Sequence, residues 1–210
     1  MRTRVKICGI TRERDAQAAA AAGADAIGFV LWQGSPRQVT PPEAARLGRS
    51  LPAFVTRVGV FVNASPATVT RAVREAALDA VQLHGDEDPT MYRRCGAAVI
   101  KSVSLAKAAD VRRALRSPAE VTLLVDVRDL VRRGGTGRLA NWALARQLAR
   151  RRPILLAGGI GPSNVRRAIR DVAPWGVDVS SGVEVAPGRK SAARIAAFMA
   201  NVKAADREVL

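Results

Sequence analysis

The chain predicts an α/β fold, a (β/α)8 TIM barrel built as a single domain over residues 1–210. Eight short, nearly continuous apolar runs rich in β-branched residues alternate with alanine-rich stretches of helical period. No linker or low-complexity segment interrupts that alternation. Runs apolar at successive positions suit strands covered on both faces, as in a parallel sheet wrapped by helices. An open doubly wound sheet is the competing architecture, but the turn after the first run, Cys8-Gly9-Ile10-Thr11, lacks the G-x-G-x-x-G spacing of a dinucleotide site.

In order, the strands are expected at 4–9 (RVKICG), 26–31 (AIGFVL), 57–62 (RVGVFV) and 80–84 (AVQLH). They continue at 98–103 (AVIKSV), 121–127 (VTLLVDV), 153–158 (PILLAG) and 176–180 (GVDVS). Helices are expected between and after them, at 12–22, 41–50, 65–77, 88–95, 106–116, 141–151, 162–171 and 190–203. Thr40 before Pro41, Ser65 before Pro66, and Ser163 are read as start signals, because a hydroxyl caps orphan N–H groups and proline suits the first turn.

Composition narrows the setting. With 48% hydrophobic residues in 210, the chain has enough apolar surface for a substantial core. No apolar run reaches the length of a membrane span and no signal-peptide pattern opens the chain. The two cysteines, Cys8 and Cys95, are expected to be reduced thiols of a cytoplasmic protein. The net charge of +16 raises the possibility of a nucleic-acid partner, but aromatic residues make up only 4% and the basic residues are dispersed over helix faces. A solvated cationic surface is the simpler reading, without nucleic-acid or membrane partners.

A barrel places its chemistry where strands end and loops begin. At those ends the sequence puts Cys8, the turn Ser35-Pro36-Arg37, Asn63, Gln82 and His84, Ser102, Asp126, Gly158-Gly159 and Ser180-Ser181-Gly182. The last two groups follow strands seven and eight, where many barrels hold phosphate on backbone N–H groups. Asp126 closes a very apolar strand, a costly place for a carboxylate unless it does acid–base work or is hydrogen-bonded. Lys6 shares a strand face with Cys8 by alternation, and would favour a charged sulfur. Arg37 suits bidentate binding of a carboxylate or phosphate. His84 is the sole histidine and lacks companions for a metal site, so an orienting or structural role fits it better. Gly134-Gly135-Thr136-Gly137 reads as a loop able to cover a ligand.

Taken together these segments carry a family resemblance. VKICGIT at 5–11, GFVLWQGSPRQVTP at 28–41, RVGVFVN at 57–63, AVQLHGDE at 80–87, LLVDV at 123–127, GGTG at 134–137, ILLAGGI at 154–160 and GVDVSSGVEVAPGRKS at 176–191 resemble the phosphoribosylanthranilate isomerases of tryptophan biosynthesis. The resemblance implies a cofactor-independent Amadori rearrangement of N-(5-phospho-β-D-ribosyl)anthranilate to 1-(2-carboxyphenylamino)-1-deoxy-D-ribulose 5-phosphate. It implies Asp126 as general acid and Cys8, as thiolate, as general base, with no metal or organic cofactor. Arg37, Gln82, His84 and Asp178 would contact the substrate, Arg37 at its carboxylate. Gly135, Gly137, Gly158, Gly159, Ser180, Ser181 and Gly182 would hold its phosphate. A monomer or homodimer is expected.

The sequence departs from the family pattern at Trp32-Gln33-Gly34 and at Val127-Arg128, and Arg128, Arg132 and Arg133 make the sixth loop unusually cationic. The histidine-pathway isomerase runs the same rearrangement with two aspartates, against which Cys8 speaks. A non-catalytic phosphate-ligand or nucleic-acid binder would have no use for both Cys8 and Asp126.

Overall fold

A computed structural model describes residues 2–126 and 137–208. Eight parallel strands close into a barrel in sequence order: β1 (Arg4–Cys8), β2 (Ala26–Val30), β3 (Thr56–Phe61), β4 (Ala80–Leu83), β5 (Ala98–Val103), β6 (Thr122–Asp126), β7 (Ile154–Ala157) and β8 (Gly176–Val179). β8 returns to β1, pairing Val177 with Val5 and Asp178 with Lys6. Alternation along each strand sends one set of side chains inward and the other toward the helices. The inward set includes a small apolar cluster, Val58, Ala80, Ile100, Leu124, Leu155 and Ala157. The outward set, with Ile7, Ile27, Phe29, Leu83, Leu123 and Leu156, joins the helices in the main core.

The helices are α1 (Glu13–Ala22), α2 (Pro41–Arg49), α3 (Pro66–Ala76), α4 (Ala108–Leu115), α5 (Gly137–Ala149), α6 (Val165–Val172) and α7 (Ala192–Glu208). α3 buries Val69, Ala72, Val73 and Ala76, and α6 buries Val165, Ala168, Ile169 and Val172. Both follow the i, i+3, i+4, i+7 stripe of a helix lying on a sheet. Thr40 starts α2 with a reciprocal capping box: its hydroxyl accepts from the Glu43 N–H, while Glu43 accepts from the Thr40 N–H at 2.7 Å. Ser65 caps α3 by accepting from the Thr68 N–H at 3.2 Å. Among the described residues no helix is long and apolar enough to cross a membrane.

Three expected helices differ. The stretch 88–95 forms only a 3-10 turn, Pro89–Tyr92, because Asp88 closes an Asx-type cap on the Thr90 N–H and the buried Tyr92 donates to the Ala64 carbonyl, pinning the segment flat. Ser163 does not start α6; its N-cap is Asn164, whose amide is spent on the preceding loop. The final helix starts at Ala192, since 184–190 form a hairpin of β9 (Glu184–Ala186) and β10 (Arg189–Lys190). At the opposite, N-terminal end of the barrel, a cavity of about 340 Å³ is lined by Trp175 and the 99% exposed Phe54 together with Arg4, Lys6 and Asp25.

Candidate active site at the C-terminal mouth

The mouth is built in two halves. On one side β1 ends at Cys8, which is 7% exposed and registers with Gly28 on β2. Below it Lys6 Nζ lies 2.9 Å from Asp178 Oδ1, with Asp178 in register with Lys6 on β8. Burial opposes the charge on Lys6, but Asp178 and the Cys8 side chain outweigh it and hold the ammonium above its usual range.

Arg37 is aimed by a carboxylate from the far end of the chain. Its Nε and Nη2 donate to the two oxygens of Glu184 at 2.8 and 2.6 Å, a bidentate fork. Its stem crosses Gly9: a Cβ there would lie 2.6 Å from Arg37 Cδ and 3.1 Å from Ser180 Oγ. Lys190, buried, donates to Glu184 at 2.8 Å and to the Ser180 carbonyl at 3.2 Å. Burial pushes the Lys190 ammonium down despite Glu184. Burial pushes the Glu184 carboxyl up, but the Arg37 and Lys190 hydrogen bonds win and leave it below its usual range.

On the other side β6 ends at Asp126, with His84 Nε2 3.5 Å from its Oδ2. Gln82, buried on β4, sets its amide Nε2 2.9 Å from His84 Nδ1. A cleft of about 880 Å³ opens here, lined among others by His84, Asp126, Asn63, Lys101 and Ser102. Its rim is fastened by Glu87, which accepts from the Asn63 and Gly85 N–H groups at 2.6 and 2.9 Å and from Lys101 at 3.2 Å.

Between the halves lie the loops after β7 and β8. Gly158 and Gly159 both hold positive φ, 85° and 65°, and a Cβ on Gly159 would meet nothing within 4 Å. The loop backbone is therefore open to a ligand. Asn164 braces it, accepting from the Gly161 N–H and donating to the Gly159 carbonyl, both at 2.9 Å. Gly182 is packed against this loop: a Cβ there would lie 2.2 Å from the Ile160 carbonyl oxygen. Ser181–Val183 is a short 3-10 turn. Gly137 opens α5, while Gly135 and the cationic positions 128, 132 and 133 lie outside the described residues.

Sequence reasoning placed Cys8, Arg37, Gln82, His84, Asp126, Gly158, Gly159 and Ser180 to Gly182 around this end. It missed Glu184, Lys190, Glu87, Lys101 and Asn164, whose partners lie in other elements or in the glycine loop that Asn164 braces.

Comparison with known proteins points one way. A family model described as N-(5'phosphoribosyl)anthranilate (PRA) isomerase matches residues 5–201. Relatives with that name include one from Magnetococcus marinus, 46% identical over 98% of this chain and 97% of its own. Another, from Chromohalobacter salexigens, is 47% identical over 96% of this chain and 94% of its own. Among solved structures, phosphoribosyl anthranilate isomerase from Thermotoga maritima matches with a TM-score of 0.88 and 42% identity, covering 96% of this chain and 99% of that one. A further match, in complex with reduced 1-(o-carboxyphenylamino)-1-deoxyribulose 5-phosphate, has a TM-score of 0.85 and 41% identity, covering 96% and 99%.

Proposed function

The chain belongs to the N-(5'-phosphoribosyl)anthranilate isomerase family, a (β/α)8-barrel isomerase of tryptophan biosynthesis, and on that premise we propose that Cys8 and Asp126 divide its proton transfers. One observation carries the assignment. The thiol ends β1 and the carboxylate ends β6, three strands apart around a single mouth, with glycine loops open between them.

N-(5-phospho-β-D-ribosyl)anthranilate is the substrate in this reading. Asp126 gives its proton to the furanose ring oxygen. The C1–O bond breaks with its electrons going to that oxygen, and the nitrogen lone pair closes the C1=N bond of a Schiff base. Cys8, as thiolate, then takes the C2 proton. The released electrons form C1=C2 and return a pair to nitrogen, giving an enolamine. Tautomerisation converts the C2 hydroxyl to a carbonyl and adds a proton at C1, yielding 1-(2-carboxyphenylamino)-1-deoxy-D-ribulose 5-phosphate. Every step moves only protons and electron pairs, so side chains of this chain suffice.

The phosphate rests on backbone N–H groups of Gly158 and Gly159 and on Ser180, Ser181 and Gly182. The open positive-φ backbone at Gly159 supports this. Glu184 takes the Nε/Nη2 edge of Arg37, so the substrate carboxylate meets the Nη1 edge. Gln82 and His84 orient Asp126 and line the cleft that receives the ring. The enzyme works in the cytoplasm as a monomer or homodimer.

Loss of phosphoribosylanthranilate fluorescence tests the reading. Wild type is expected to be active, and Cys8→Ser and Asp126→Asn each slower by about 10²–10⁴-fold, the usual worth of a positioned acid or base. Full activity in both variants overturns the assigned roles. An inactive wild type overturns the reaction.

A further inference from the structure

The Lys6–Asp178 pair under Cys8 takes no part in the steps above, yet it is a deeply buried ion pair near the mouth, with side chains 2% and 9% exposed. An ammonium taken out of water is strongly disfavoured unless anions surround it. Two groups offer themselves: the Asp178 carboxylate at 2.9 Å, and the Cys8 side chain, which flanks the same gap over Gly28 as Lys6 Nζ. The neighbouring strand makes the approach possible. Gly28 sits beside both, and a Cβ there would fall 2.7 Å from Cys8 Sγ and 3.1 Å from Lys6 Nζ. Gly28 is not among the residues of positive φ. What the position demands is the missing methyl group, not a special backbone.

Charge around the sulfur points the same way. β1 presents Lys6, β8 presents Asp178, and β2 presents only Gly28. The turn after β2 brings Arg37, and the β9–β10 hairpin brings Glu184 and Lys190. Across the mouth, β6 carries Asp126, with His84 beside it. Around Cys8 itself, three cations stand against two carboxylates among the described residues, and an ionised sulfur makes the numbers equal.

We propose that Lys6 is a positioning residue, fixed by Asp178 and admitted by Gly28, that keeps Cys8 in the thiolate form needed for proton abstraction. The inference rests on Cys8 being the base, and it extends that reading to a group that touches no substrate. A pair that merely locked the barrel seam would leave the sulfur's ionisation unchanged.

The test uses the full-length protein without substrate. Thiolate absorbance and the rate of alkylation by iodoacetamide are followed against pH, with Cys8→Ser as the blank for Cys95. Wild-type Cys8 is expected to alkylate at a pH where a free thiol hardly reacts. In Lys6→Met both curves move up by about one pH unit or more, and kcat near neutrality falls about tenfold with KM within about twofold, since one unit corresponds to tenfold in thiolate. Raising the pH recovers much of that rate. Lys6→Arg retains most of the thiolate. Gly28→Ala keeps every charge, alters only the spacing, and moves the curves in the same direction as Lys6→Met. If one of these two variants fails to fold, the other decides. Wild-type alkylation that follows a free thiol, or an unshifted curve in whichever variant folds, overturns the proposal. Because substrate is absent, that result is separate from the activity of Cys8→Ser, which judges Cys8 as the base.

Discussion

The two halves of the mouth are built differently among the described residues. Around Cys8 the charges are fixed and leave one cation in excess: Lys6 on Asp178, and Arg37 and Lys190 together on Glu184, all beneath or beside a 7% exposed thiol. Around Asp126, among the described residues, stand a histidine 36% exposed and a buried glutamine amide, at the edge of an 880 Å³ cleft that Lys101 also lines. The contrast matches the proposed tasks. A base that must wait as an anion is best served by permanent cations, whereas an acid that must lose and regain a proton needs partners that do not hold it in one state.

The comparison is broken most severely by removing the carboxylate that ties the charged half together. Glu184→Gln leaves Arg37 and the buried Lys190 without an anion. A lost buried partner costs about 3–5 kcal/mol, so the melting temperature is expected to fall by on the order of 10 °C in calorimetry.

Acid should weaken the same half more gently. The Glu184 carboxyl is held below its usual value by Arg37 and Lys190 against the effect of burial, and the more exposed Asp79 is lowered by its fork with Arg57. Groups with depressed folded values add stability that is present above the unfolded carboxyl value, near about 4, and lost as pH falls through the folded value. Melting temperature should therefore decline from about pH 5 toward pH 3. Hydrogen exchange should rise in the β9–β10 hairpin before it rises in β3–β4. Uniform opening of both would dissolve the distinction.

The smallest expected effect sharpens the contrast from the other side. His84→Gln removes a half-exposed ring, so stability should stay within about 0.5 kcal/mol. The kcat is expected to drop only several-fold, with KM little changed. A large fall in melting temperature would show that the acid half is as interlocked as the base half.

Much of this arrangement was legible before any coordinates. Cys8 and Asp126 declared themselves because a polar residue closing an apolar run has few ordinary explanations, and alternation alone put Lys6 on the face of Cys8. The glycines after β7 and β8 followed from the barrel topology. What stayed hidden depended on long-range pairing. Glu184 meets Arg37 across 147 positions, and Glu87 reaches Asn63 from 24 positions away. No local periodicity encodes such a meeting. Nor did the helical pattern at 88–95 reveal that Tyr92 is pulled down onto Ala64, or the run at 190 that Lys190 is drawn inward by Glu184. Asp178 shows the same limit in reverse. The resemblance names it as a substrate contact, and the structure adds a partner that the sequence did not pair with it, the lysine beneath Cys8.

That lysine and aspartate also carry a consequence in time. They stand 172 positions apart, on the first and last strands, and their bond lies across the join where β8 returns to β1. A ribosome-bound chain that has emitted seven strands already possesses the cysteine, but lacks the anion that seats the lysine beside it. Contacts so distant in sequence form late, after the shorter loops have closed. The charge arrangement beside the sulfur is thus completed only on closure of the ring, when the last strand brings Asp178 to Lys6.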